Sequence, residues 1–318
     1  MSILTGKRIA VLGYGSQGRA QALNLRDSGC DVVVGARVGA SRESAIADKF
    51  KVLDISEASS EAQVVVSCLP DVEVARIFEN EVKAHLRAGA ALLFAHGFAV
   101  HYGLIEPGPN HDVILVAPMG AGPIVRARFE QGSGVPALLA VANDASGNAW
   151  NLAKAYGSAI GCGKVAMLET TFREETESDL FGEQAVLCGG LPALMKAAYE
   201  TLVEGGIRPE IAYIACVHEV KLIADLIYER GLDGLVEKIS STAEWGAYEA
   251  SSILPRDETK GALQKILANV QTGEFAEKWI AEEASGMHEL ESRRKQFLND
   301  PIHQMGRNVR KLLGIESN

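Results

Sequence analysis

A strand, a glycine turn and a helix open this chain, and together they restrict its fold more than any other feature. Arg8–Leu12 is a short apolar run, and Ala20, Ala22 and Leu23 fall in the helical stretch beyond it. Between them stands Gly13-Tyr14-Gly15-Ser16-Gln17-Gly18, a GxGxxG. The first glycine of such a turn permits the sharp reversal, and the second lets the backbone approach a pyrophosphate. The third lets the helix pack close to the strand, whose helix N-terminus then offers unpaired N–H groups to an anion. In a chain with 32 glycines the pattern alone is a weak signal. Its position between a strand and a helix gives it weight over the alternative, a glycine turn with no ligand.

The same alternation continues. Short apolar runs at Asp31–Gly35, Gln63–Cys68, Ala91–Ala95, Val113–Ala117 and Ala137–Val141 are separated by glycines and helical stretches. Runs without polar alternation are expected for strands buried on both faces, as in a parallel sheet covered by helices. The character changes near residue 172. From Phe172 onward no run makes a good strand. Helical spacing dominates at Ser178–Cys188, Leu191–Glu204, Pro209–Glu229, Lys260–Thr272, Phe275–Glu283 and Ile302–Leu313. Pro192, Pro209 and Pro301 sit where helices can begin. The fold class expected is therefore α/β with a parallel sheet, followed by an all-helical domain. The boundaries are 1–172 for the dinucleotide-binding domain and 173–318 for the helical one.

Charge and composition narrow the partners. Forty-one acids against 31 bases give a net charge of −10, which disfavours nucleic acid and anionic membrane as general partners. A small anionic ligand needs only a local positive site and is not excluded. No apolar run approaches the ~18 residues of a membrane span. The opening segment runs straight from strand into glycine turn, so no signal peptide is expected. Five cysteines (Cys30, Cys68, Cys162, Cys188 and Cys216) are odd in number and lack CxxC spacing. They are expected as reduced thiols in a cytoplasmic protein.

The end of the second strand discriminates between the nicotinamide cofactors. An NAD site usually carries Asp or Glu there for the ribose 2′-hydroxyl. This chain has Gly35-Ala36-Arg37-Val38-Gly39-Ala40-Ser41-Arg42, with no acid. Arg37 and Arg42 can pair with a 2′-phosphate and Ser41 can donate to it. NADPH is therefore favoured over NADH, the alternative for Arg42 being a solvated residue at a helix start.

A second chemical signal lies at residues 173–184. Asp179 and Glu183 are four apart and share one helical face. Paired hard oxygen donors suit Mg²⁺. On spacing alone, a solvated acidic first turn favoured by the helix dipole is the commoner origin. Glu219, on the later apolar stretch Pro209–Glu229, would ordinarily be a surface residue.

At this point the chain resembles the ketol-acid reductoisomerase family, nearly end to end. The residues that carry the resemblance are GYGSQG (13–18), SCLPD (67–71), FAHGF (94–98), ETTFREETESDLFGEQAVLCGG (169–190), PEIAYIACVHEVKLIADLIYE (209–229), ISSTAEWGAY (239–248) and QTGEFAEKWI (271–280). The resemblance implies a Rossmann domain and a knotted helical domain, in a homodimer or larger oligomer whose active site is shared between subunits. It implies NADPH, Mg²⁺ and a small-molecule substrate. An alkyl group migrates within a 2-hydroxy-2-alkyl-3-keto acid, and the new ketone is reduced by hydride. By the same resemblance Asp179, Glu183 and Glu219 fall on metal carboxylates, and Ser240 on a serine that contacts the substrate carboxylate. His96 falls on the active-site histidine near the nicotinamide, and Pro70 on the cofactor side. The lesser alternative for His96 is a bland loop histidine.

Two departures qualify the resemblance. The family pattern after the strand at Val113–Ala117 is proline then lysine, and here it is Pro118-Met119-Gly120. The fourth metal carboxylate falls on Ala215. Ala99 and Ala247 are smaller departures, from asparagine and aspartate. A methionine carries neither charge nor proton, and one missing carboxylate weakens a second Mg²⁺. Alkyl migration, in which charge develops at a tertiary alkoxide, depends most on both metals. The expectation is a reductase of a small 2-keto acid with isomerisation lost or impaired. A conventional ketol-acid reductoisomerase and a non-catalytic NADPH-binding relative are the alternatives. Arg126 and Arg128 are close enough in sequence to Met119 to be considered as substitutes, but are expected to face solvent. Cys216, beside Ala215, is expected to be core packing rather than a soft-metal ligand.

Overall fold

The structure, a computed structural model, describes residues 2–315. The chain divides into two compact units, one ending at Ser178 and the other starting at Asp179. The first is built on an eight-stranded sheet of order β3-β2-β1-β4-β5-β6-β7-β8. Its strands are β1 (Arg8–Leu12), β2 (Asp31–Gly35), β3 (Lys51–Leu53), β4 (Val64–Ser67), β5 (Ala91–Phe94), β6 (Val113–Pro118), β7 (Ala137–Asn143) and β8 (Met167–Glu169). All neighbours pair parallel except β6 and β7, which run antiparallel from Pro118↔Ala137 to Val113↔Asn143. The expected parallel sheet is thus present with one reversed pairing. The link that carries the helix Gly122–Glu130 between β6 and β7 is as long as the one that carries the helix Ser16–Asp27 between the parallel strands β1 and β2, so link length does not set the reversed direction.

The helices of this unit are α1 (Ser16–Asp27), α2 (Ala40–Ala47), α3 (Ile55–Glu61), α4 (Asp71–Ile77), α5 (Phe98–His101), α6 (Gly122–Glu130) and α7 (Ala149–Ala159). They cover both faces of the sheet, which explains the uninterrupted apolar runs. Ile9, Val11, Val64, Val66, Leu93, Ile114 and Leu139 point to one core with Leu23, Leu25 and Tyr156. Ala10, Leu12, Val65, Leu92, Phe94 and Leu115 point to the other with Ile55, Val74 and Ile77. Successive residues alternate between faces, and both faces are buried. Burying each such Val, Leu or Ile contributes about 1.5–3 kcal/mol. The strands missed in the sequence, β3 and β8, are three residues each. Lys51, Leu168 and Glu169 are exposed, so neither strand shows a continuous apolar run.

The helix α8 (Phe172–Gly182) carries the chain out of the first unit. The second unit continues with α9 (Gly190–Glu204), α10 (Pro209–Tyr213), α11 (Val220–Val236), α12 (Ser241–Ile253), α13 (Arg256–Gln271), α14 (Glu274–Ala284), α15 (His288–Leu298) and α16 (Pro301–Leu312). No strand occurs in it among the described residues, as expected. Two expected single helices are instead broken by π turns, at Glu183–Leu187 after α8 and at Ile214–His218 between α10 and α11. The helices α12 and α15 were not foreseen; one is capped by Ser240 and the other begins after Met287 in a left-handed conformation. Tyr199, Ala212 and Ile302 form a small core in this unit. There Gly306 brings α16 so close to α10 that a Cβ would lie 2.6 Å from the Tyr213 hydroxyl. Lys196 and Asp300 pair between α9 and the start of α16.

One helical stretch among the described residues, 172–204, is long and apolar enough to cross a membrane by length and composition alone. Gly189, Gly190 and Pro192 interrupt the apolar run, whereas α8, the π turn and α9 carry helical backbone almost through them. All five cysteines are free.

Candidate active site

The strand order reverses between β1 and β4, and the C-terminal ends of those strands open a crevice there. Gly13 has φ +87°, and a Cβ on it would lie 2.7 Å from the Cys68 carbonyl oxygen. A Cβ on Gly18 would lie 2.2 Å from the Gly13 carbonyl oxygen, so helix and strand approach backbone to backbone. Gly15 is different: a Cβ there would meet nothing within 4 Å. It faces the open side of the turn, where a ligand would come close. No side chain caps the N-terminus of α1, so its first N–H groups point outward without a side-chain partner.

The turn borders a cavity of about 490 Å³. Gly13, Tyr14, Gly15, Arg37, Ser41 and Pro70 line it, together with Cys68, Leu69 and Glu73. Ser16, Gln17, Gly18, Arg42 and His96 are not among its lining residues. Gln17 is turned the other way, its Nε2 donating to the Gly120 carbonyl at 2.7 Å. Tyr14 contributes backbone; its ring is buried, and its hydroxyl donates to Asp48 at 2.8 Å. Burial first, and then that bond, push the phenol pKa well up.

The two arginines expected at the 2′ end behave differently. Arg37 is on the cavity wall, hydrogen-bonded to Glu73. Arg42 lies in the first turn of α2 and runs back beneath the loop. It donates to the Ala36 carbonyl at 2.7 Å and to Asp54 at 2.8 Å. It thereby ties together the ends of β2 and β3, rather than facing the cavity.

A second group forms around His96, on the loop between β5 and α5. Its Nδ1 lies 2.9 Å from Oε1 of Glu175. The other oxygen of Glu175 accepts the Gly97 N–H at 2.8 Å. Glu175 is 2% exposed, so its carboxylate is satisfied from within the protein. A carboxylate can only accept, so Nδ1 is the donor of this pair. Gly97 is needed for the approach, since a Cβ there would lie 2.4 Å from the Thr176 hydroxyl. One turn further along α8 is Asp179. One ligand atom each from His96, Glu175 and Asp179 lie within 4.8 Å of one another. Glu175 was missed in the sequence, although 175, 179 and 183 continue the same four-residue series.

The remaining expected residues belong to the second unit. Glu183 opens the π turn after α8 and is exposed. Glu219 follows the π turn Ile214–His218 and is exposed, as is Ala215 within it. Ser240 is the N-cap of α12, its hydroxyl accepting from the Ala243 N–H at 3.2 Å. A hydroxyl so used still has its proton to donate.

Of the departures, Met119 follows β6 and is 41% exposed. Arg126 is not solvated as expected. It donates to Asn24 at 2.9 Å and pairs with Asp27 at 2.7 Å and Glu130 at 2.9 Å. The reason is the close packing of α6 on α1, where a Cβ on Gly122 would lie 2.0 Å from the Ser16 carbonyl oxygen. Arg126 is therefore committed elsewhere and is no substitute for a lysine at Met119. Arg128 is exposed. Cys216 packs beside the small Tyr199 core.

Residues 3–166 match the family described as acetohydroxy acid isomeroreductase, NADPH-binding domain. Residues 172–314 match ketol-acid reductoisomerase, C-terminal domain. Among solved structures, an NADH-preferring ketol-acid reductoisomerase from an uncultured archaeon is 44% identical, with a TM-score of 0.93, over 98% of this chain and 96% of that one. A semialdehyde dehydrogenase NAD-binding protein from Cupriavidus necator, solved with calcium and NAD, is 17% identical with a TM-score of 0.64, over 84% and 99%. A pyrroline-5-carboxylate reductase from Coxiella burnetii is 17% identical with a TM-score of 0.56, over 84% and 98%. The last two are similar in fold alone.

Proposed function

The chain belongs to the ketol-acid reductoisomerase family of NAD(P)-dependent oxidoreductases, and from that premise we propose that it reduces a small 2-keto acid or close analogue with alkyl migration lost or impaired. The observation that carries the reading is Met119. It stands where the family pattern has lysine, and the cation nearest in sequence, Arg126, is held by Asn24, Asp27 and Glu130. Ala215 supports it, because its methyl group supplies no ligand where the family pattern has a metal carboxylate.

NADPH is the proposed cofactor. Its support is the absence of an acid from Gly35 to Arg42 and the presence of Arg37 and Ser41 on the cavity wall. The relative described as NADH-preferring makes NADH the competing choice. Bound, the nicotinamide supplies the hydride. The donor set also fits a magnesium ion. Asp179 and Glu183 offer hard oxygens one turn apart, and Glu219 joins them by family resemblance alone. Glu175 is already engaged by His96 and Gly97, so its role is to orient the imidazole rather than to ligate. A bound Mg²⁺ would polarise the keto oxygen as a Lewis acid.

The chain's own residues then do the following. The turn Gly13–Gly18 seats the pyrophosphate, with Pro70 at the cofactor cavity. His96, held by Glu175, keeps a ring nitrogen in place to order water or a proton donor. Ser240, by resemblance, holds the substrate carboxylate. The same resemblance makes the protein a homo-oligomer, and a cytoplasmic location goes with it.

The experiment is NADPH oxidation with 2-acetolactate and with 3-hydroxy-3-methyl-2-oxobutanoate, side by side, across Mg²⁺ concentrations. The first needs migration before reduction; the second does not. Turnover of the second alone is expected. Met119→Lys with Ala215→Glu should then raise 2-acetolactate turnover selectively. Equal turnover of both substrates by the natural chain makes it a conventional ketol-acid reductoisomerase, a reading favoured by the intact His96–Glu175–Asp179 group. Turnover of neither, with NADPH still bound, makes it a binding relative.

A further inference from the structure

The cavity beside the glycine turn is lined by one cation and one acid among the described residues, Arg37 and Glu73, and they hold each other. Glu73 sits in the first turn of α4, three residues after Pro70. Its Oε2 accepts from Nη2 of Arg37 at 2.5 Å and from Nη2 of Arg76 at 3.1 Å. We propose that Glu73 is a specificity-determining residue that shifts the cofactor choice toward NADH by competing for Arg37. This rests on the reading above of the cavity as the adenosine end of a dinucleotide site.

The argument is one of charge and position. The 2′-hydroxyl of NADH is usually received by an acid at the end of β2. That place is vacant of acids here, and Glu73 brings a carboxylate to the same cavity from α4. A ribose 2′-hydroxyl can donate to it. A 2′-phosphate carries about −1.5 to −2 charges, as other phosphomonoesters do. It must draw Arg37 away from Glu73 and then lie beside an anion. The carboxylate does not come free of charge compensation when Arg37 turns, because Arg76 remains on the same oxygen. Arg37 and Glu73 therefore pull the preference in opposite directions, and the pair sets the ratio. Neither end of the pair is fully buried: Arg37 is 47% exposed at its side chain and Glu73 25%. Solvent screens the contact, so the effect on affinity is of order tenfold rather than thousandfold.

The test is the dissociation constant of the full-length protein for NADPH and NADH, read by nicotinamide fluorescence. The proteins are the natural chain, Glu73→Gln, Arg37→Gln, the double variant and, as a distant charge control, Glu79→Gln. Glu73→Gln should raise the NADPH-over-NADH affinity ratio about tenfold, by tightening NADPH and weakening NADH. Arg37→Gln should lower that ratio. In the double variant the gain for NADPH should shrink, because it works through Arg37. A ratio that moves less than twofold in Glu73→Gln, or no more than in Glu79→Gln, overturns the inference. The natural chain's own ratio tests the NADPH reading separately: a preference for NADH sinks that reading, while the shift on Glu73→Gln still decides this one. Binding of neither dinucleotide by the natural chain overturns both.

Discussion

Glu175 shows how a single residue can organise a site. Its two oxygens are divided between the imidazole of His96 and the backbone of Gly97, so one buried carboxylate fixes both the ring and the loop that bears it. A buried acceptor with two such donors is expensive to remove. Asp48 plays a comparable part beneath the glycine turn. It accepts from Arg19 Nε at 2.7 Å and from the Tyr14 hydroxyl at 2.8 Å. The Arg19 bond first, and the Tyr14 bond after it, hold its carboxyl below the usual range. A carboxyl depressed in the folded state stabilises above its unfolded value, near 3.9, and that contribution is lost as pH falls through the folded value. Asp48→Asn should therefore cost about 1 kcal/mol at neutral pH, discounted for the exposed Arg19. Denaturant unfolding should show the gap closing at acid pH, below the unfolded carboxyl value. A gap that is unchanged or widens in acid would refute this account. Position 48 gave no signal in the sequence, because its partners are 29 and 34 residues away. Glu175 gave a signal, the four-residue series of acids, but not which acid faces inward.

At the scale of elements, the glycine turn was legible because its demands are local. Each of its three glycines has a distinct steric reason, and the two extremes can be separated by experiment. Gly18→Ala places a Cβ 2.2 Å from a backbone oxygen that has little room to move. It should destabilise the protein by about 1–3 kcal/mol and weaken cofactor binding with it. Gly15→Ala meets no protein atom. It should leave the unfolding temperature unchanged and still weaken dinucleotide binding at least tenfold, because the methyl group takes space the ligand needs. If Gly15→Ala binds NADPH normally, the ligand does not approach at Gly15. The π turns were not legible. A π turn widens a helix by one residue, and its apolar spacing differs little from that of an α-helix over five positions. Of the three π turns among the described residues, Phe78–Val82 follows α4, and the two in the second unit lie at acids read as metal ligands, Glu183 at the start of one and Glu219 just after the other. Gly231, with φ +75°, likewise breaks α11 where apolar spacing continues.

At the scale of the molecule, the first unit buries its sheet on both faces, whereas the second leaves large apolar side chains in solvent. Tyr228 is 86% exposed, Ile253 80%, Leu232 74% and Trp245 68%. A folded monomer seldom tolerates so much apolar surface. The prediction is a dimer or larger assembly at micromolar concentration, measured by size-exclusion chromatography with light scattering. A monomer at that concentration would count against the homo-oligomer expected from family resemblance.

By itself the sequence determined the alternation of strand and helix, the nucleotide-binding turn, the change to helices after residue 172 and the family. Those properties rest on contacts between near neighbours in the chain, or on long motifs that leave few alternatives. It also exposed the two substitutions on which the functional proposal rests, since a methionine or an alanine is visible without coordinates. Tertiary structure alone decided which charged groups meet. It turned Arg42 to the ends of β2 and β3, committed Arg126 to α1, placed Glu175 against His96 and set Glu73 on Arg37. Each of these pairings joins different elements, and several of the partners have more than one oppositely charged neighbour in the sequence. Which partner wins is fixed by the packing of helices on the sheet, a property of the assembled core and not of any local stretch.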